Sequence, residues 1–80
     1  MHYVYLLQSE AAAGQRYVGV TSDLKQRLRD HNSGKSPHTS KHVPWTLVIY
    51  VAFSDGRKAK LFKQYLKSGS GHAIAQKRLW

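Results

Sequence analysis

The chain reads as a single α+β domain of three short strands and flanking helices, and three observations predict this. Two β-prone runs, His2 to Gln8 and Arg16 to Val20, are joined by a loop ending near Gly14. A third run, Trp45 to Phe53, is almost continuously aromatic and β-branched. Between and after these runs, apolar residues recur every three to four positions, the period of a helix packed on one side. Eighty residues hold one such domain, 1–80, and a chain of this size buries only about 60–65% of its unfolded surface, so the core is modest.

Taken in order, the first two runs read as a hairpin. Tyr3 and Tyr5 alternate with Val4, which puts both tyrosines on one face of the sheet, where packing alone would also account for them. Thr21 or Ser22 is expected to cap the helix that follows, with Asp23 in its first turn; Leu24 and Leu28 form the apolar stripe, and Asn32-Ser33-Gly34 stops it. Arg27 and His31, at i and i+4, share one face of that helix.

Lys35 to Pro44 mixes proline, serine, histidine and lysine and is expected to form a basic loop that faces a ligand and stays mobile without it. Trp45 to Phe53 is expected to be buried on both faces and central in the sheet. Ser54-Asp55-Gly56 then turns the chain into a helix from about Arg57 to Lys67. Ala59, Phe62 and Leu66 face inward, and Leu61 and Tyr65 widen that face. Ser68-Gly69-Ser70-Gly71 reads as a break, after which Ala73, Ile74 and Leu79 mark a last short helix that packs Trp80 back on the body.

Thirteen Lys and Arg against four Asp and Glu give a formal charge of +9, an imbalance that points to a polyanionic partner, nucleic acid first. Lys35, Lys41, Lys58, Lys60, Lys63 and Lys67 are the candidate backbone contacts, so affinity is expected to fall steeply with salt. The absence of Cys excludes a disulfide framework and a thiolate zinc site. His38 and His42 lie four apart in a proline-bounded loop with no third ligand in view, which is poor material for zinc. With no basic leader and no apolar stretch near the roughly 18 residues that span a bilayer, the expectation is a cytoplasmic protein with no membrane partner.

Tyr3-Val4-Tyr5, Tyr17-Val18-Gly19, the helix residues Arg27 and His31, and the closing Tyr65-Leu66-Lys67-Ser68-Gly69-Ser70-Gly71 occur in a defined order. In this order the chain resembles the GIY-YIG nuclease superfamily, specifically its small stand-alone single-domain group, with Tyr3 standing where the first triplet has Gly. The resemblance implies a three-stranded antiparallel sheet flanked by helices, and metal-assisted cleavage of a nucleic-acid phosphodiester, DNA above all, with Mg²⁺ or Mn²⁺ in active members. It also implies that Tyr5 and Tyr17 flank the scissile phosphate, one of them orienting or deprotonating water, while Arg27 neutralises the phosphoryl oxygens and His31 assists proton transfer. The planar fork of an arginine suits that task. A phenol titrates near 10, so a tyrosine could act as a base only if a neighbouring cation favoured the phenolate, and Arg27 is the nearest candidate. Gly19 marks a close approach of backbone or substrate, or a β-bulge.

At one position the chain departs from the pattern. Active members carry a metal-binding Glu on the second long helix, just before the closing segment, and here that position is Lys63. Mg²⁺ and Mn²⁺ require hard oxygen donors. Among the four acids, Glu10 lies in the first loop, Asp23 and Asp30 belong to the first helix, and Asp55 precedes Lys63 by about two turns. Asp30 is expected to pair with a nearby arginine. The expectation is therefore a DNA endonuclease scaffold with weak or lost metal-dependent catalysis, in which Lys63 points into the cation site and contacts the phosphate. The alternative is a non-catalytic nucleic-acid-binding module, for DNA or RNA, on the same fold.

Overall fold

The computed structural model describes residues 1–80 as β1 (His2–Ser9), β2 (Arg16–Thr21), α1 (Leu24–Asn32), a short 3-10 turn (Ser40–His42), β3 (Trp45–Phe53), α2 (Gly56–Lys67) and α3 (Gly69–Arg78). The three strands form one antiparallel sheet in the order β2-β1-β3. The first two runs of sequence pair as the expected hairpin, with Tyr5 opposite Gly19 and Leu7 opposite Tyr17.

The central strand is β1, not the Trp45–Phe53 run expected there. Val4, Tyr5, Leu6 and Leu7 are consecutive and all fully buried, which requires cover on both faces because successive side chains point to opposite sides. By contrast β3 is an edge strand whose burial alternates, with Val48 and Tyr50 exposed. Aromatic and β-branched residues favour any pleated strand; they do not say which strand the helices will sandwich.

One face of the sheet carries Val4 and Leu6 against Ala59, Leu66 and Ala75, with Val18, Val20, Phe53, Phe62 and Trp80 packed around them. The other carries Tyr5, Leu7 and Trp45 beneath Leu24 and Leu28 of α1. Thus α1 lies on one side of the sheet, and α2 and α3 lie on the other. Packing of Ala59, Phe62 and Leu66 is as expected, but Leu61 (54% exposed) and Tyr65 (39% exposed) face outward on α2. A small sheet accepts only a narrow helical stripe. Ile74 is likewise exposed on α3.

Capping differs from expectation by one or two residues. Asp23 itself caps α1, its carboxylate accepting from the Gln26 backbone N–H at 3.1 Å, while Thr21 Oγ1 accepts from the Asp23 N–H. The stop after Asn32 is made with Gly34 at φ +80°, a left-handed conformation that favours glycine. Ser68 is a joint between two helices and not the start of a longer break: its hydroxyl donates to the Tyr65 carbonyl at 2.6 Å and accepts from Gly71 N–H at 3.4 Å. Consequently α3 begins at Gly69. A Cβ on Gly71 would overlap the Tyr65 carbonyl, so the tight joint requires glycine.

Candidate functional site

Because α1 lies across β1, its i, i+4 pair converges on one phenol. His31 Nε2 lies 2.8 Å from the Tyr5 hydroxyl, and Arg27 Nε donates to the same oxygen at 3.4 Å. Tyr5 and His31 are both fully buried. On the far side of the imidazole, Nδ1 lies 2.7 Å from Thr39 Oγ1, and Thr39 is also fully buried. A neutral imidazole has one N–H and one lone pair, so Tyr5, His31 and Thr39 form a hydrogen-bonded line that runs in one direction at a time.

The register explains Gly19. It sits directly opposite Tyr5 in the hairpin, and a Cβ there would overlap the phenol at Cζ and Oη. The close approach is therefore made by a side chain of the same domain. The β-bulge also considered for Gly19 lies elsewhere, between Leu6 and Leu7 in the pairing of β1 with β3.

Tyr17 packs its ring 4.9 Å from the His31 ring and 6.2 Å from that of Tyr5. It lines a shallow pocket with Arg27, Asp30, Lys35, Ser36 and His38. Four of the residues singled out from sequence, Tyr5, Tyr17, Arg27 and His31, are thus brought together, and Lys35 joins them at the rim. The lysines of α2 lie alongside: Lys60, Lys63 and Lys67 line a groove with Val20 and Gln64. Lys41 and Lys58 line neither.

Electrostatics separate the roles available to these groups. Burial pushes the Tyr5 phenol above its ordinary value, outweighing the opposing hydrogen bond from Arg27, while the neighbouring Tyr17 adds to the rise. The condition for Tyr5 to act as a phenolate base is therefore not met; it stays protonated as a hydrogen-bond donor. His31 is lowered, first by burial and then by the Arg27 charge, which keeps the ring neutral. Lys63 is lowered by its own partial burial, then by Lys67 and Arg27. The α2 lysine groove and the Tyr5–Arg27 cluster therefore share one positive field.

The donor set beside Tyr17 and Arg27 does not suit a divalent cation. Lys60, Lys63 and Lys67 offer no oxygen donor, and no three His, Asp or Glu side chains gather as ligands anywhere in the domain. Asp30, the one acid at the pocket, accepts from Gln26 Nε2 at 2.9 Å and lies 3.9 Å from Lys35 Nζ. Its ion-pair partner is thus a lysine and not the expected arginine, because Arg29 turns instead to Gln26 Oε1.

Two supporting residues were not singled out from sequence. Thr39 sits in the basic loop, which is pinned at this point: its carbonyl accepts from Trp45 Nε1 at 2.9 Å, and Ser40–His42 coil as a 3-10 turn. Asn32, read only as part of a helix stop, clamps the first residue of β3 by accepting from the Trp45 N–H and donating to the Trp45 carbonyl. A polar residue at a helix end carries no sign of that longer reach. No helix is long and apolar enough to cross a membrane.

Comparison with known proteins identifies the family and the fold. The family model of the GIY-YIG catalytic domain matches residues 1–76. A UPF0213 protein of Streptococcus agalactiae is 39% identical over 67 residues, covering 78% of this chain and 74% of its own. A UPF0213 protein of Haloquadratum walsbyi is 35% identical over 65 residues, covering 80% and 70%. The solution structure of a UPF0213 protein from Bacillus halodurans superposes with a TM-score of 0.56 at 29% identity, covering 98% of this chain and 85% of that one. With Tyr5 and Tyr17 on adjacent strands, Arg27 and His31 on the helix across them and the matches spanning nearly all of its length, this chain belongs to the GIY-YIG family and is similar to its UPF0213 members.

Proposed function

We propose that this protein is a DNA-binding member of the nuclease superfamily that holds a phosphodiester at the Tyr17–Arg27 pocket and hydrolyses it weakly or not at all. The observation that carries this reading is Lys63, which lines a groove with Val20, Lys60, Gln64 and Lys67 and feels the charge of Arg27; the family resemblance would put a metal-binding carboxylate at this position. An ammonium group attracts a phosphate but cannot coordinate Mg²⁺ or Mn²⁺, and a metal's contribution to such chemistry is worth several kcal/mol.

On this reading each side chain acts without a metal. Arg27 and Lys63 neutralise the phosphoryl oxygens, the arginine through its fork and the lysine as a point charge. Arg27 is held by the Tyr5 hydroxyl, so the buried line from Tyr5 through His31 to Thr39 sets its position. Tyr17, half-buried at the pocket wall, is the tyrosine placed to touch the substrate. Binding is electrostatic and falls steeply with salt.

A second reading, an active endonuclease, is favoured by the assembled Tyr5, Tyr17, Arg27 and His31. One experiment separates the two. Supercoiled and branched DNA are incubated with the unaltered protein and with Lys63→Glu, in Mg²⁺ or Mn²⁺ and in chelator. The expected result is tight, salt-sensitive binding by the unaltered protein with cleavage near background, and metal-dependent nicking gained by Lys63→Glu. Chelator-sensitive cleavage by the unaltered protein establishes the second reading instead.

A further inference from the structure

A second groove opens on the opposite face of β2 from Tyr17, between that strand, α2 and α3. Its polar lining is Gln15, Arg16, Lys67, His72 and Gln76, with Trp80 at one wall. Arg16 is held there by neutral partners only. Its Nε donates to Gln8 Oε1 at 3.0 Å, its Nη1 donates to Gln76 Oε1 at 2.7 Å, and its guanidinium carbon lies 4.7 Å from the Trp80 ring centroid. Gln8 is anchored in turn, its Nε2 donating to the Gln15 carbonyl at 3.2 Å.

Such an arrangement differs from a surface ion pair. A guanidinium has five N–H donors, and the two glutamines engage only two of its nitrogens. None of the chain's acids, Glu10, Asp23, Asp30 and Asp55, lines the groove. The arginine is therefore held in one orientation at the surface by neutral groups, while its charge stays uncompensated. Fastening α3 to the hairpin would need only the stack on Trp80. It would not call for Lys67 and His72 in the same groove. A fixed planar fork beside an ammonium is the chemistry that receives a phosphate group.

We infer that the Arg16–Lys67–His72 groove is a second phosphate site, which takes a backbone phosphate of the bound nucleic acid as its strand passes round the β2 edge of the sheet. This rests on the nucleic-acid reading above and adds the path of the strand. Lys67 lines both this groove and the Val20–Lys63 groove, so the positive surface runs on from the Arg16 groove to Lys63, which feels the charge of Arg27. The edge strand β2 has no further strand beside it. Arg16 and Tyr17 are consecutive and project to opposite faces of the sheet. A strand that touches both must bend sharply over one edge, which a duplex with a persistence length of about 150 base pairs resists. The substrate is therefore DNA with a single-stranded or branched segment at the site.

The test measures fluorescence anisotropy with a labelled duplex, with and without a single-stranded tail, over a range of NaCl concentrations. The proteins compared are the unaltered chain, Arg16→Gln, Lys67→Gln, Arg27→Gln and, as a charge control, Lys77→Gln. The unaltered protein is expected to bind the tailed duplex several-fold more tightly. Arg16→Gln is expected to lose that advantage and to lower the slope of log affinity against log salt by about one, while Lys77→Gln retains the advantage. Should Arg16→Gln fold poorly, Lys67→Gln carries the same expectation from an exposed position. Equal behaviour of Arg16→Gln, Lys67→Gln and Lys77→Gln, with Arg27→Gln still weakened, overturns this inference and leaves the primary reading intact. No binding to either DNA by the unaltered protein overturns both. Free inorganic phosphate is titrated in parallel, with the Arg16 Nε resonance observed. A shift there, combined with unaltered DNA binding by Arg16→Gln, makes the groove a small-anion pocket and overturns the strand path.

Discussion

The two faces of β1 use one strand for different ends. Toward α2 and α3 it presents Val4 and Leu6 to a wholly apolar core closed by Ala59, Leu66 and Ala75 and ringed by Phe53, Phe62 and Trp80. Toward α1 it presents Tyr5 and Leu7, and there Tyr5 meets His31 and Thr39 in a buried polar line. Apolar burial on the first face is non-directional and tolerant of small shifts. On the second face every buried donor and acceptor must find its partner, because leaving one unmade costs about 1–3 kcal/mol; none is left without one. The apolar face holds the domain together, and the polar face fixes where Arg27 sits.

This contrast predicts effects of decreasing size. Leu6→Ala, at a fully buried aliphatic position, should cost about 2–5 kcal/mol in urea unfolding, while the protein that remains folded binds DNA as before. A loss under about 1 kcal/mol would show that the apolar face is not the main support. Gly19→Ala, whose Cβ overlaps the Tyr5 phenol, should cost about 1–3 kcal/mol as overpacking. Unlike Leu6→Ala, it should also weaken DNA binding by the folded protein, through displacement of Tyr5 from Arg27. Unchanged His31 resonances in that variant would mean that the ring has room to move.

The smallest effect is on pH dependence. Burial first, and the Arg27 charge second, hold His31 below its ordinary value. The unfolded chain therefore takes up a proton near 6.5 that the folded chain refuses. The resulting contribution to stability is present above that pH and is lost as the pH falls toward the lower folded value. Urea midpoints measured from pH 7 to pH 5 should decline in the unaltered protein and decline less in His31→Gln. Parallel declines would contradict a neutral, buried His31.

Much of the architecture was legible in the order of residues. Strand runs, the helical stripes of Leu24 and Leu28 and of Ala59, Phe62 and Leu66, and the i, i+4 pair Arg27 and His31 all follow from local periodicity, which a single segment carries on its own. The errors arose where an answer depends on what another segment does. Trp45 to Phe53 looks more apolar than His2 to Ser9, yet the latter is the strand covered on both sides. Leu61 and Tyr65 sit on the edge of a helical stripe whose width is set by the small sheet below.

The candidate site divides in the same way. Tyr5, Tyr17, Arg27, His31 and Lys63 could be picked out because motif order and helical spacing are properties of the chain. Thr39 and Asn32 could not. One reaches His31 from a proline-bounded loop and the other clamps the backbone of Trp45, and both contacts exist only once α1 lies across β1. Likewise, the charge of +9 could be read from composition, but the separation of that charge into a Tyr17–Arg27 pocket and an Arg16 groove depends on which side of β2 each residue faces. Composition and spacing act along the chain, whereas the direction a side chain takes and the partner it meets are set by how strands and helices stack. For this reason the chemistry on offer could be read from the residues, and the protonation of Tyr5, the neutrality of His31 and the surroundings of Lys63 awaited the packed fold.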